Sequence, residues 1–132
     1  KTPAAALPAS DPGPATGSPE TYVNVYYFHG YNRCITCRTM ELYTREAVND
    51  AFLKELGDGS LHLSVLNMQD PVNETYVEDF QLKYYMVVIE RIVDGKRREW
   101  KKLEGIWDLV KDKEGFKRYI QEETRAYLKG IG

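Results

Sequence analysis

Cys34-Ile35-Thr36-Cys37 stands where a β-branched and aromatic run gives way to a helical pattern, and that junction constrains the fold more than any other feature. Residues 21–28 (TYVNVYYF) suit a strand buried on both faces. His29-Gly30-Tyr31-Asn32 ends it in a turn-forming cluster. From Cys34 onward, Cys37, Met40, Thr44, Ala47, Val48, Ala51, Phe52 and Leu56 recur at steps of three and four, the period of one helix face. Gly57-Asp58-Gly59 closes that helix. Both cysteines therefore fall on its first turn, with their sulfurs near enough to form a disulfide. Free amides and the helix dipole at that end favour negative charge, so an anionic sulfur at Cys34 is expected to be stabilised.

The remaining elements follow from period and punctuation. Residues 61–68 read as a second strand with Leu61, Leu63 and Val65 on one face. Asp70-Pro71 is a cap followed by proline at the first helical position, and Val72, Tyr76, Val77 and Phe80 form one apolar helical stripe. Residues 85–93 (YMVVIERIV) read as a third strand. Asp94-Gly95 signals a two-residue hairpin, and 96–103 return as a charged strand of the kind found at a sheet edge. Ile106, Trp107, Leu109 and Val110 form a packed turn or short helix. Asp112 then caps a last helix carrying Phe116, Tyr119, Ile120, Tyr127 and Leu128. The order is βαβαββα, an α/β chain with a central mixed four-stranded sheet flanked by helices.

Composition narrows the function classes. The chain has 132 residues, with 18 basic and 20 acidic side chains, so it presents no large basic field for nucleic acid. No apolar run approaches the roughly 18 residues of a membrane span. No glycine-rich phosphate cradle for a flavin or nicotinamide cofactor is present. Five of the six prolines lie before residue 20, among five alanines and no aromatic residue. Residues 1–20 therefore read as a Pro/Ala-rich linker or tether ahead of a domain at 21–132. Such a leader without an initiating Met fits a trimmed, exported protein. The expected location is a bacterial periplasm or cell envelope, with membrane contact only through a lost N-terminal lipoprotein anchor.

A CxxC between strand and helix in a βαβ pattern, with no other cysteine, points to redox exchange. In such a pair the first cysteine is exposed and attacks, and the second releases the mixed disulfide from within. Cys34 is then the nucleophile and Cys37 the resolving thiol. Arg33 and Arg38 flank the pair and can favour a thiolate, and His29 lies near enough to influence it. Solvated charges and a packed loop histidine are the plainer readings of these three residues. Tyr85 and Met86 are candidates for a substrate groove, although aromatic residues before a strand commonly belong to the core. Two other functions stay open. One is a non-catalytic accessory subunit whose cysteines bind metal, a metalloid or an iron–sulfur centre. For zinc that would need two more ligands, with only His29 and His62 available as imidazoles. The other is an interaction module with a structural disulfide.

The order βαβαββα with CxxC opening the first helix resembles the thioredoxin fold from residue 21 onward. More narrowly, YYFHGYNRCITC, MELYT and the late EGIWDLV are similar to a thioredoxin-like family named as a nitrophenyl-compound nitroreductase subunit. The broader resemblance implies thiol–disulfide exchange with a protein partner, and an external electron donor or acceptor. Two positions depart from the thioredoxin pattern. The proline before the third strand is absent, its place falling near Tyr85-Met86-Val87, and a trans peptide is expected there. Phe28 stands where thioredoxins place a buried acid, so the proton acceptor for Cys37 is expected elsewhere, with Glu41 one helical turn along as the candidate.

Overall fold

A computed structural model describes residues 20–130. The expected tether at 1–20 lies, but for its last residue, outside them. Strands β1 (Tyr22–His29), β2 (Leu61–Asn67), β3 (Met86–Val93) and β4 (Lys96–Lys102) form one mixed sheet in the order β2-β1-β3-β4. β1 and β2 are parallel, whereas β3 runs antiparallel to both β1 and β4. The helices are α1 (Ile35–Ala51), α2 (Leu53–Asp58), α3 (Glu74–Asp79), α4 (Ile106–Leu109) and α5 (Lys113–Lys129). This is the thioredoxin-like α/β architecture that the resemblance implies.

Alternation along β1 divides the core between two faces. Val23, Val25 and Tyr27 point toward α1 and α5, which are held together where Gln121 Nε2 donates to the Ala47 carbonyl at 3.0 Å. Tyr26 and Phe28 point the other way, stack on each other and pack at a tilt against Tyr76 and Phe80 of the α3 segment. α1 buries Cys37, Met40, Thr44, Ala47 and Val48, the stripe its sequence spacing predicts. The charged strand β4 lies at the sheet edge, where lysine and arginine discourage further pairing.

Beyond one-residue shifts of the strand ends, three features of the helices differ from the sequence reading. The first helix is two: Phe52 leaves helical geometry at φ −132°, ψ 34°. Its ring is buried, so the bend serves burial of an aromatic side chain, and α2 resumes at Leu53 until Gly59 ends it in the left-handed region at φ 85°. Asp70 Oδ1 does accept from the Val72 amide at 3.1 Å, but the turn it caps is a 3₁₀ segment, Pro71–Asn73, before α3 begins. Cys34 is itself the N-cap of α1 rather than a residue of its first turn. Asp94 and Gly95 adopt φ 53° and 79°, the left-handed pair that a tight hairpin requires. No peptide bond is cis among the described residues, so the one preceding Met86 is trans.

Candidate redox site

Four chain segments converge at one end of the sheet. β1 runs toward His29 and hands the chain to Cys34. Parallel β2 finishes at the same end, antiparallel β3 begins there, and β4 ends there. The loop that carries the thiols is fastened from both sides. Met68 N donates to the His29 carbonyl at 2.7 Å, Tyr31 N donates to Gln69 Oε1 at 2.7 Å, and the Tyr85 hydroxyl donates to the Asn32 carbonyl. Gly30 is required by this closeness, because a Cβ there would stand 2.6 Å from Gln69 Oε1 and 2.9 Å from Tyr85 Cε1.

Cys34 is exposed, Cys37 is buried, and both thiols are free. The Cys34 carbonyl accepts the first helical hydrogen bond, from Arg38 N at 3.0 Å. The amides of Ile35, Thr36 and Cys37 therefore have no intrahelical acceptor. The Cys34 side chain accepts none of them. The sulfur thus stands at the helix start with free amides beyond it, without capping the helix in this state.

Cys37 has a partner that sequence reasoning missed. The Tyr27 hydroxyl lies 3.2 Å from Cys37 Sγ and 3.0 Å from the Cys37 carbonyl, donating one proton toward both. Tyr27 is fully buried. Burial first, then the hydrogen bond to Cys37, hold its phenol far above the ordinary range, with the nearby Arg33 charge opposing. The phenol is a permanent donor and no base at neutral pH. Glu41, the expected proton acceptor, is not brought to Cys37 by any hydrogen bond: its carboxylate accepts from Arg33 and, at 3.0 Å, from Arg45.

The other candidate residues divide between two flanks. On the α1 side, Arg33, Arg38, Glu41, Leu42 and Arg45 line a concavity of about 430 Å³. Arg38 is exposed and forms no ion pair among the described residues. On the β3 side, Met86 joins Tyr84, Glu104 and Trp107 around one of about 490 Å³. Tyr85 faces the thiols: its phenol is pushed up by burial and then by the Cys37 and Cys34 sulfurs, and the Arg33 charge opposes the rise. His29 turns to its own chain, Nδ1 lying 3.0 Å from the Gly30 carbonyl, to which it donates when protonated there. Trp107, read as part of a packed turn, is exposed instead and meets exposed Tyr84 edge to face at 6.0 Å. Tyr31, Ile35 and Val72 are exposed on the same end. Among the described residues, no group of three or more His, Cys, Asp or Glu is placed to hold a metal ion.

No family model matches the chain, and no curated protein matches it. Among solved structures it is similar to a thioredoxin from Fasciola hepatica, at 17 % identity and a TM-score of 0.41, over 74 % of this chain and 81 % of that one.

Proposed function

We propose that this protein is a thiol–disulfide oxidoreductase that exchanges two electrons with a protein partner through Cys34 and Cys37. The observation that carries the reading is the asymmetry of the pair. An exposed thiol stands at the start of a long helix, and a buried one follows within a turn. In the reducing direction, the Cys34 thiolate attacks one sulfur of the partner's disulfide and expels the other as a thiolate. The Cys37 thiolate then attacks Cys34 Sγ, closes the Cys34–Cys37 disulfide and expels the partner's second thiolate. Two electrons pass to the partner, and the protons lost by Cys34 and Cys37 are taken up by the two departing thiolates. The reverse sequence oxidises a dithiol.

Exposed Tyr31, Ile35, Val72, Tyr84 and Trp107 at the thiol end support a protein partner, since they offer an apolar rim to a segment that carries the disulfide. Tyr85 and Met86 belong to the same surface in this reading. Arg33 and Arg38 would favour the anionic sulfur by charge. A second protein supplies or removes the electrons. The narrower family named for nitrophenyl-compound reduction rests on short sequence segments alone, and the proposal draws nothing from it. The Pro/Ala-rich leader supports an exported, tethered protein in an oxidising envelope compartment.

Single substitutions test the reading. Cys34→Ser is expected to abolish turnover of a protein disulfide, and Cys37→Ser to accumulate a mixed disulfide on Cys34. A Cys34→Ser protein that retains turnover would overturn it.

A further inference from the structure

We infer that Tyr27 holds the departing and attacking form of Cys37 as a thiolate by donating a hydrogen bond to its sulfur, in the place of a buried acid. The inference rests on the thiol–disulfide reading and goes beyond it by assigning the control of the buried sulfur to a neutral phenol.

The two directions of exchange share one chemical species. Cys37 leaves as a thiolate when a partner's thiolate attacks Cys34 Sγ of the disulfide, and it attacks as a thiolate when it resolves a mixed disulfide. An anionic sulfur in a buried site is costly unless a donor meets it. The Tyr27 hydroxyl lies 3.2 Å from that sulfur and is itself fully buried. A thiolate is a better acceptor than a thiol or a disulfide sulfur, so the bond strengthens where charge develops. The Cys37 carbonyl, its second acceptor, also sits within α1, where Glu41 N–H is its helical partner by geometry. The phenol is therefore free to turn toward the sulfur as charge appears.

Among the described residues, the charged and titratable groups near the pair come from three places: Cys34, Arg33 and Glu41 from α1 and its lead-in, His29 from the end of β1 with its ring 6.3 Å from that of Tyr27, and Tyr85 from the chain before β3. β2 and β3 place Val65 and Val87 opposite Tyr27 in the sheet. Arg33 and Glu41 are bonded to each other, which leaves the Tyr27 hydroxyl as the group hydrogen-bonded to Cys37 Sγ. Tyr27 donates and does not accept: the Cys37 proton goes to the expelled partner thiolate or to solvent.

Rapid-mixing kinetics on the full chain test this. The reduced protein is mixed with a symmetric nitrobenzoate disulfide, whose thiolate absorbs visible light. Attack by Cys34 releases the first coloured thiolate, and resolution by Cys37 releases the second. In Tyr27→Phe the second release is expected to slow about tenfold at neutral pH, its pH midpoint moving up by about one unit, while the first release is unchanged. Site-specific replacement of Tyr27 by a ring-fluorinated tyrosine, which keeps the shape and strengthens the donor, should move the midpoint down. The fluorinated protein decides the matter should Tyr27→Phe not fold. Coincident pH profiles for the second release, whatever happens to thermal stability, would overturn the role of Tyr27 alone. Failure of the unaltered protein to release a second equivalent would overturn the exchange reading beneath it.

Discussion

The indole Nε1–H of Trp107 donates to the backbone carbonyl of Tyr85 at 3.2 Å. A tryptophan from the segment after β4 thus fixes the residue just before β3, at the rim of the concavity that Tyr84 and Met86 share. Trp107→Ala is expected to lower kcat/KM for a protein disulfide by roughly 5- to 30-fold, the range for truncating one aromatic anchor. Reaction with a small aromatic disulfide should stay near the unaltered rate. Equal loss with both substrates would count against a docking role for this rim.

Exposure separates the two thiols. In the folded, reduced protein, iodoacetamide should modify Cys34 at least about tenfold faster than Cys37, as followed by peptide mass spectrometry. In denaturant the difference should collapse, because burial and not sequence protects Cys37.

Glu90 on β3 is 2 % exposed and accepts from Tyr26 Oη at 2.7 Å and from Arg97 Nε at 2.9 Å. Arg97 also reaches Asp79 and covers the Phe80 ring. Arg97→Met removes the only cation paired with Glu90 among the described residues, and is expected to cost about 2–3 kcal/mol in urea unfolding, toward the low end for a buried pair because Arg97 is partly solvated. Adding Glu90→Gln should recover part of that loss.

Burial holds His62 below its ordinary range, with the Gly59 backbone opposing. The unfolded chain, with an ordinary imidazole near 6.5, then binds a proton before the folded one does. Stability is expected to be intact above about pH 6.5 and to fall as pH drops through the lower folded value. His62→Phe, which keeps a ring against Tyr22, should flatten that decline in thermal melts between neutral and mildly acidic pH.

The elements with strong local signals were legible in the sequence. Asp94-Gly95 dictates its turn because few other pairs tolerate two left-handed residues, and the alternation of β1 fixes which side chains meet α1. The bend at Phe52 was not, because Phe52 and Leu56 continue the helical period while the backbone between helices turns to bury a ring. The exposed and buried thiols follow from spacing at the strand–helix junction. Tyr27 does not, since its contact depends on how closely α1 crosses β1. One signal for it existed: alternation places Tyr27 with Val23 and Val25 on the helix-facing side, where a buried hydroxyl must find an acceptor. The pairing of Glu41 was not legible either, because helical spacing says which residues neighbour Cys37 but not that two arginines meet the carboxylate.

The course of β1 also sets how the domain is held. Glu20 accepts from Gly95 N at the hairpin between β3 and β4, and Gly130 lies beside the Arg91 side chain, so both ends of the described chain sit at the pole opposite Cys34. The eight residues of β1 put about 25 Å between that pole and the thiol loop. The described chain is therefore entered and left at its rear, like a tool held by its handle, with the sulfur-bearing tip at the far end.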